Sequence, residues 1–200
     1  DNKAEAFVAM RSRELALSLA RRKELVVANL FNNGFSSSYT FGPNSDAKEL
    51  LATDHPSIVG SQANELATPA DLSELSLEQA STAINLFQDD AGKNIMAQAR
   101  KLIVPPQLKH EACRITKSEL RSGSAQNDLN ALKYYGEFQD IVVNNFLTNP
   151  KAWFIKTSVS NGLKMYQRYA LEVMNDTAEF DTLNMKWRAI ERDAFGWTNW

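Results

Sequence analysis

The chain has a single cysteine, Cys113, among its 200 residues. One cysteine cannot form an intrachain disulfide, and this count is typical of a protein that works in a reducing compartment. Glycine is scarce as well, with eight residues, and no Gly-rich phosphate loop, dinucleotide-binding fingerprint or EF-hand is present. The longest apolar runs, such as Leu25–Ala28 and Ile141–Val143, are far shorter than the roughly 20 residues that span a bilayer. The sequence therefore predicts no membrane partner.

Basic charge is not in excess either, because 22 Lys and Arg residues face 24 Asp and Glu residues for a net charge of −2. A protein that binds DNA without regard to sequence normally carries a basic patch or stripe, so this balance argues against that class. The rest of the composition is ordinary for a folded globular protein, with 44% hydrophobic and 23% charged residues. A chain of this length suits one large domain or two small ones.

The side chains that could bind a transition metal do not form a recognisable motif. His110 and Cys113 lie three residues apart in KHEAC, but the zinc-binding pattern His-Glu-x-x-His would need a histidine where Arg114 stands. Helical spacing places His110 away from the apolar positions of this segment, so we expect it to be exposed. Cys113 is expected to be a small, partly buried residue. A metal or thiol site is the alternative interpretation, and no metal or cofactor is predicted.

His55 stands between Asp54 and Pro56, and an adjacent carboxylate can orient an imidazole for catalysis. Neighbours in sequence seldom have that geometry, and the chain has no G-x-S-x-G nucleophile motif. We therefore predict a turn stiffened by Pro56. Asp89 and Asp90 are likewise predicted to lie in a solvated turn. No residue is predicted to be catalytic, and an enzyme stays an alternative that saturable turnover would reveal.

Hydrophobic periodicity predicts one long helix and then shorter elements. Residues 3–33 lack Gly and Pro and carry an apolar stripe, which predicts a helix of about 40 Å that ends at Asn32-Asn33-Gly34. Residues 35–70 predict loops with short strands, because they are rich in Ser, Asn, Gly and Pro. A capping box over Ser76–Gln79 predicts the start of a second helix.

Three short apolar runs beyond this helix predict core strands. They are Lys101–Val104, Ile141–Val143 and Trp153–Ile155. Pro105-Pro106 predicts the end of the first strand, a helix is expected to follow to about Leu120, and Arg121–Gln126 is expected to be a loop. Strands separated by helices indicate a fold of the α+β class.

The C-terminal quarter predicts a long antiparallel hairpin. Gly162–Met174 and Leu183–Trp200 are charge-laced runs rich in strand-forming residues, and Asn175–Thr182 is a polar linker short enough to join them. Period-2 alternation places an apolar set on one face of the second run, namely Met185, Trp187, Ala189, Phe195 and Trp197. The other face carries Lys186, Arg188 and Arg192. We expect such a hairpin to leave the body of a small domain and to touch neighbouring chains.

The charged residues of this hairpin are the candidate site. Glu191 and Asp193 share the apolar face, where an unpaired buried charge is costly, so both need partners. Nearby arginines could provide them within the chain. We predict that Arg188, Glu191 and Arg192 form ion pairs with adjacent subunits, and an intrachain surface network is the alternative. Exposed pairs contribute only about 0–1 kcal/mol each, so repetition over many interfaces would have to matter.

The four tryptophans could also suggest a platform on which single-stranded nucleic acid bases stack. Trp187, Trp197 and Trp200 lack the interleaved basic groove that such a site needs, and Trp153 lies in the core-like run AWFI. Packing in the core or at an interface is therefore the predicted role of all four.

Six segments spread over most of the chain resemble one protein family. They are Thr53–Gly60, Asn64–Ala80, Lys101–Ile115, Leu120–Leu132, Val142–Thr157 and Arg188–Trp200. In their order and spacing they resemble the major capsid proteins of tailed bacteriophages, in particular the Mu-like major head subunit family. That family has the fold called Hong Kong ninety-seven.

The resemblance implies an axial mixed α/β domain over residues 35–160 and a peripheral domain that is discontinuous in sequence. Residues 1–34 would be its spine helix, 161–192 its hairpin and 193–200 a return strand toward the axial domain. The implied protein is structural, not an enzyme, and self-assembles as pentamers and hexamers into an icosahedral shell around double-stranded DNA. Scaffold and portal proteins are expected partners, and packaged DNA is expected to be contacted non-specifically. The implied location is the virion, after assembly in the host cytoplasm.

An encapsulin-like nanocompartment shell protein, which shares this fold, is the closest alternative function. The family also has an N-terminal arm and an extended hairpin loop before the spine helix, and neither is found in this sequence. The chain begins without Met and ends at Trp200 inside a predicted strand. We therefore expect a fragment, or the ordered part of something longer.

Overall fold

The computed structural model describes residues 2–41, 46–121, 128–160, 162–176 and 186–198. The helices in these ranges are α1 (Asn2–Asn32), α2 (Glu74–Asn85), α3 (Lys109–Lys117) and α4 (Ala131–Tyr135), and a 3₁₀ turn (Pro106–Leu108) precedes α3. The strands are β1 (His55–Ser57), β2 (Gly60–Gln62), β3 (Ala99–Val104), β4 (Asp140–Val143), β5 (Phe154–Thr157), β6 (Leu163–Asp176) and β7 (Lys186–Trp197). This mixture of helices and small sheets confirms the α+β class. None of these helices combines the length and the apolar character needed to cross a membrane.

The long helix α1 confirms the prediction for residues 3–33. Its C-terminal turn is held by Asn32, whose Nδ2 donates to the carbonyl of Phe146 at 3.0 Å. The Oδ1 of the same side chain accepts from the N–H of Thr148, also at 3.0 Å. Leu30, two residues before the end, is buried at 3% exposure. The end of α1 is therefore tied to a loop more than a hundred residues away in the chain.

The helix α2 starts one turn earlier than the sequence predicts. Its N-cap is Ser73, whose hydroxyl accepts from the N–H of Ser76 at 3.1 Å, while the hydroxyl of Ser76 accepts from the N–H of Ser73 at 2.9 Å. Ser76 thus closes the capping box as its third helical residue, and its predicted role as the cap is wrong. Leu77, Ala80 and Ile84 are buried, as the predicted apolar face requires.

A three-stranded sheet of order β4-β3-β5 confirms the three predicted strands. The central strand β3 runs parallel to β4, with Leu102 opposite Ile141, and antiparallel to β5, with Ile103 opposite Phe154. Only one face of β4 is covered, because Val142 is exposed. In the loop region before α2, β1 and β2 pair antiparallel, which confirms the predicted short strands there.

The helix α3 ends at Lys117, before the predicted Leu120. The buried side chain of Asn130 explains this boundary, because its Nδ2 donates to the carbonyls of Ile115 at 2.6 Å and Ser118 at 3.0 Å. The last carbonyl groups of a helix lack partners within it, and a side-chain donor that bonds to them allows the helix to end there. The loop predicted over Arg121–Gln126 lies outside the described residues, apart from Arg121.

One hydrophobic core lies between this sheet and helices α2, α3 and α4. Its buried members are Leu72, Leu77, Ile84, Ala97, Ala99, Leu102, Val104, Ala112, Ile115, Leu132 and Phe138. Trp153 and Ile155 pack against it while remaining partly exposed. Leu102 and Val104, both on β3, are fully buried, which places the centre of the core on that strand.

The chain divides into two compact units. The helix–hairpin unit contains Asp1–Val27 and Leu163–Gly196, and the core unit contains Ala28–Gly162 and Trp197–Trp200. The assignment of residues 35–160 to an axial domain and of 1–34, 161–192 and 193–200 to a peripheral domain stays a prediction.

The two predicted C-terminal strands are confirmed as β6 and β7, which pair with each other. Arg188 contacts Met174, whereas Arg192–Ala194 lie beside Met165–Arg168, so the strands run antiparallel. The first strand continues to Asp176, two residues into the predicted linker. The rest of that linker, together with Met185 and Trp200, lies outside the described residues.

Candidate subunit interface

Alternation along β7 separates a covered face from an exposed face. Ala189, Glu191, Asp193 and Phe195 are half-buried, whereas Arg188, Ile190, Arg192 and Ala194 are exposed. The period of two is the one the sequence predicts for a strand with one face covered. Trp187, on the covered side by parity, is still 38% exposed, so the cover weakens toward the start of the strand.

The covered face of β7 holds two carboxylates against the helix α1. Lys23 forms an ion pair with Glu191 and lies 3.6 Å from Asp193. The carboxylate side chains are only 7% and 6% exposed. The hydrogen bond with Glu191 is the main cause that raises the pKa of Lys23 above its usual 10.5, against an opposing effect of burial. Two nearly buried anions therefore share one cation, and this charged seam joins helix to hairpin.

Lys23 is the residue that sequence reasoning missed. The partners expected for Glu191 and Asp193 were nearby arginines, but the structure uses a lysine from α1 instead. Lys23 lies on the same helical face as Leu19 and Val26, which are half-buried. A lysine inside an otherwise apolar stripe was the available signal, because such a side chain needs either a carboxylate or a route to solvent.

Of the three predicted site residues, the structure places two in solvent and one in the seam. Arg188 and Arg192 are exposed, and neither has a carboxylate partner among the described residues. The Nη2 of Arg188 lies 3.2 Å from the thioether sulfur of Met174, a weak acceptor. Glu191 is occupied by Lys23 within the chain. Within the described residues, both guanidinium groups are thus exposed and outside any ion pair.

Large apolar side chains are exposed along both strands of the hairpin. Eight large apolar or aromatic side chains are at least 38% exposed: Leu163, Met165, Tyr166, Tyr169, Leu171, Val173, Trp187 and Ile190. Ile190 lies on the same face of β7 as the exposed Arg188 and Arg192, and aromatic, apolar and arginine side chains are the groups enriched at protein–protein interfaces.

The histidines take two different positions. His110 is exposed on α3, as predicted. His55 is fully buried, with its Nδ1 2.6 Å from the Oδ2 of Asp46. It begins the strand β1, so the prediction of a turn at this residue is wrong. The neighbouring Asp54 pairs with Lys48, whose hydrogen bond lowers the pKa of that carboxyl. The imidazole is thus held by a carboxylate nine residues away, which the sequence gives no sign of.

Cys113 is exposed on α3, which corrects the expectation of a partly buried residue. The helix buries only a narrow stripe, Ala112, Ile115 and Thr116, and Cys113 falls outside it. No group of three or more His, Cys, Asp or Glu side chains within the described ranges is arranged to hold a metal ion. Asp89 is exposed in a turn, where its Oδ1 accepts from the N–H groups of Ala91 and Lys93.

Two of the three tryptophans within the described residues pack against protein groups. Trp197 is buried, with its ring centroid 5.4 Å from Phe41 and 6.2 Å from Tyr39. Trp153 donates its indole N–H to the carbonyl of Ala70 at 3.0 Å. These contacts agree with the predicted core packing of both residues, and Trp187 is the one left at the hairpin surface.

A sequence model of a protein family, described as "Phage capsid protein", matches residues 2–200. The chain belongs to the phage capsid protein family. This family is structural and non-enzymatic, and its members are virion proteins, so the chain is a phage capsid structural protein. No curated protein and no solved structure matches the chain.

Proposed function

We propose that this capsid protein is the major head subunit of a tailed phage, of the Mu-like group, with the Hong Kong ninety-seven fold. Many copies, arranged as pentamers and hexamers, form an icosahedral shell around double-stranded DNA. The observation that carries the proposal is the family match over residues 2–200. The exposed apolar hairpin supports it, because a repeated neighbour in a shell would cover that surface.

Within this proposal, the axial domain spans residues 35–160, and the peripheral domain combines residues 1–34, 161–192 and 193–200. Scaffold and portal proteins are the proposed partners in assembly, which takes place in the host cytoplasm. DNA is contacted non-specifically and is not bound strongly, because a chain with a net charge of −2 has no excess of basic residues to neutralise its phosphates.

The proposed subunit contact uses Arg188 and Arg192 directly and Glu191 indirectly. The two exposed guanidinium groups would bind carboxylates of the adjacent copy, since arginine offers a planar, always charged fork of donors. Glu191 orients these groups because its pairing with Lys23 fixes the face of β7 that α1 covers. The opposite face, with Arg188 and Arg192, is then presented to the neighbour.

The first test is electron microscopy of particles from the full open reading frame, expressed with its neighbouring genes. Closed shells or capsomer rings are expected, and their diameter distinguishes a phage head from an encapsulin-like compartment. A folded monomer that gives no higher assembly even with its scaffold would contradict the proposal.

The interface itself is tested by Arg188→Glu with Arg192→Glu in the same expression system. We expect loss of shells with retention of the folded subunit, because exposed arginines add little to the stability of a single chain. Arg114→Glu is the matched control, since Arg114 is exposed on α3 in the core unit. Equal shell yields from the hairpin variant and the control would remove Arg188 and Arg192 from the interface.

A further inference from the structure

The helix α1 has a second apolar face that is exposed in the described part of the structure. Phe7, Met10, Leu17 and Leu25 are between 48% and 56% exposed. At about 100° per residue, these four side chains fall within an arc of roughly 100°, on the side opposite Leu15, Leu19 and Val26. The half-buried face of the helix is therefore backed by an exposed apolar stripe over most of its length.

The exposed stripe contains two charged residues, Glu14 and Arg21. Glu14 accepts from Arg11 at 2.9 Å in a pair whose side chains are 50% and 61% exposed, so this bond is open to exchange with another partner. Arg21 has no ion-pair partner among the described residues. The two charges lie two turns apart, on either side of a point between Leu17 and Ser18. We call the set Phe7, Met10, Glu14, Leu17, Ser18, Arg21 and Leu25 the Leu17 face.

The Leu17 face is complementary to itself when a second helix runs antiparallel across it. A two-fold axis between Leu17 and Ser18 places Glu14 opposite Arg21 of the second copy, and Arg21 opposite its Glu14. The same operation places Met10 opposite Leu25, so apolar groups also meet apolar groups. A two-fold contact uses the same patch on both subunits and therefore requires this kind of self-complementarity.

We propose that the Leu17 face binds the same face of a second copy of this chain across a two-fold axis. The proposal rests on the proposed self-assembly, and it names a contact separate from the hairpin surface. A parallel arrangement would oppose Glu14 to Glu14 and Arg21 to Arg21, which is repulsive. Charge complementarity thus favours a second copy of α1 as the partner, and it favours the antiparallel orientation.

Cross-linking tests the position of the axis. In a Cys113→Ser background of the full chain, Ser18→Cys puts a thiol next to the axis, and Ala20→Cys puts one on the same helix about 100° away from the stripe. Ser18 is replaceable, since its hydroxyl donates only to the carbonyl of Leu15 in its own helix. Under mild oxidation we expect disulfide-linked dimers from Ser18→Cys and several-fold fewer from Ala20→Cys. Equal yields from the two variants would overturn the proposal.

Charge exchange tests the pairing. Glu14→Arg and Arg21→Glu each place like charges across the axis, so we expect each to weaken dimerisation in sedimentation about tenfold. The double variant Glu14→Arg/Arg21→Glu restores opposite charges and should recover most of the loss. Arg22→Glu is the matched control, because it makes the same charge change beside the stripe. A double variant no better than either single one, or a control as damaging as Arg21→Glu, would refute the pairing.

The outcomes separate this inference from the proposed function. Shells that assemble without the Ser18→Cys cross-link would overturn the α1 contact and leave the capsid assembly standing. Cross-linked dimers that never form shells would support the α1 contact and count against the shell. Circular dichroism of each variant confirms that the subunit has folded before its assembly is scored.

Discussion

The core unit and the helix–hairpin unit hold themselves together by different means. In the core unit, eleven buried residues form one cluster, and polar groups buried with it, such as Asn130 and Thr116, have hydrogen-bond partners. In the helix–hairpin unit, none of the described apolar side chains is fully buried. Its most buried ionisable side chains are Glu191 and Asp193, which share Lys23.

This difference indicates which part of the molecule can stand alone. A continuous apolar core provides the main favourable term in folding, so the core unit has what an independent domain needs. Buried ion pairs, by contrast, have a desolvation penalty that can exceed their attraction, and they are weak sources of stability. The helix–hairpin unit therefore depends on further burial, and the apolar surfaces of β6, β7 and α1 are where neighbouring copies would supply it.

The largest expected effect comes from removing core volume on β3. Leu102→Ala should destabilise the protein by about 3 kcal/mol, because Leu102 is fully buried and its truncation leaves a cavity. Leu171→Ala on β6 is the matched control, since Leu171 is 40% exposed, and it should cost less than about 0.5 kcal/mol. Urea denaturation measures both. Similar losses from the two variants would erase the contrast between the units.

The next effect comes from breaking the charged seam. Lys23→Met leaves Glu191 and Asp193 nearly buried without a cation, so we expect the hairpin to detach from α1 and its amides to exchange faster with solvent. Hydrogen exchange measures this region by region, and the core unit should keep its protection. Arg22→Met, at an exposed position on the same helix, is the control and should change little.

A triple variant separates charge from shape in the same seam. Lys23→Met, Glu191→Met and Asp193→Leu together replace the charges by apolar groups, and we expect protection to return to the wild-type level or above. If the triple variant exchanged as fast as Lys23→Met alone, the seam would act by specific geometry and not by compensating buried charge.

The smallest effect belongs to a surface pair of the core unit, Lys101 with Asp140. They lie opposite each other on β3 and β4 at 2.9 Å, and the hydrogen bond from Lys101 lowers the pKa of Asp140 below its usual 3.8. Because the folded-state pKa is the lower one, the contribution is present above pH 3.8 and is lost as the pH falls through the lowered value. Asp140→Asn should therefore be slightly less stable than wild type near neutral pH and equal to it in strong acid. A stability difference between Asp140→Asn and the wild type that persists in strong acid, or that added salt does not reduce, would contradict this account.

Local patterns predicted the elements well, because each was encoded within a short window. The stripe of α1, the apolar runs of β3 and β4 and the alternation of β7 all have the period of the element they form. The N-cap of α2 was harder to predict, because Ser73 and Ser76 both have hydroxyl groups and the choice between them depends on packing. The buried stripe of α3 proved too narrow to include Cys113.

Contacts between distant segments were beyond sequence reasoning. The pairing of Lys23 with Glu191 joins residues far apart in the chain. The apolar stripe of α1 marks Lys23 as a side chain that needs a partner, but no local rule places that partner on the hairpin. The contact of Asp46 with His55 was missed for the same reason, and it converts an expected turn residue into a buried one. The candidate interface on β7 stays a prediction, and the group that neutralises Glu191 became known only from the three-dimensional arrangement.

The single exposed thiol of Cys113 gives each copy of this protein one site for thiol-selective labelling. A maleimide reagent would modify α3 at one position and nowhere else in the 200 residues. In an assembled particle, such modification becomes a regular array with one attached group per subunit. Dyes, peptides or gold clusters could then be displayed at a spacing fixed by the lattice of subunits, without altering the hairpin or the long helix.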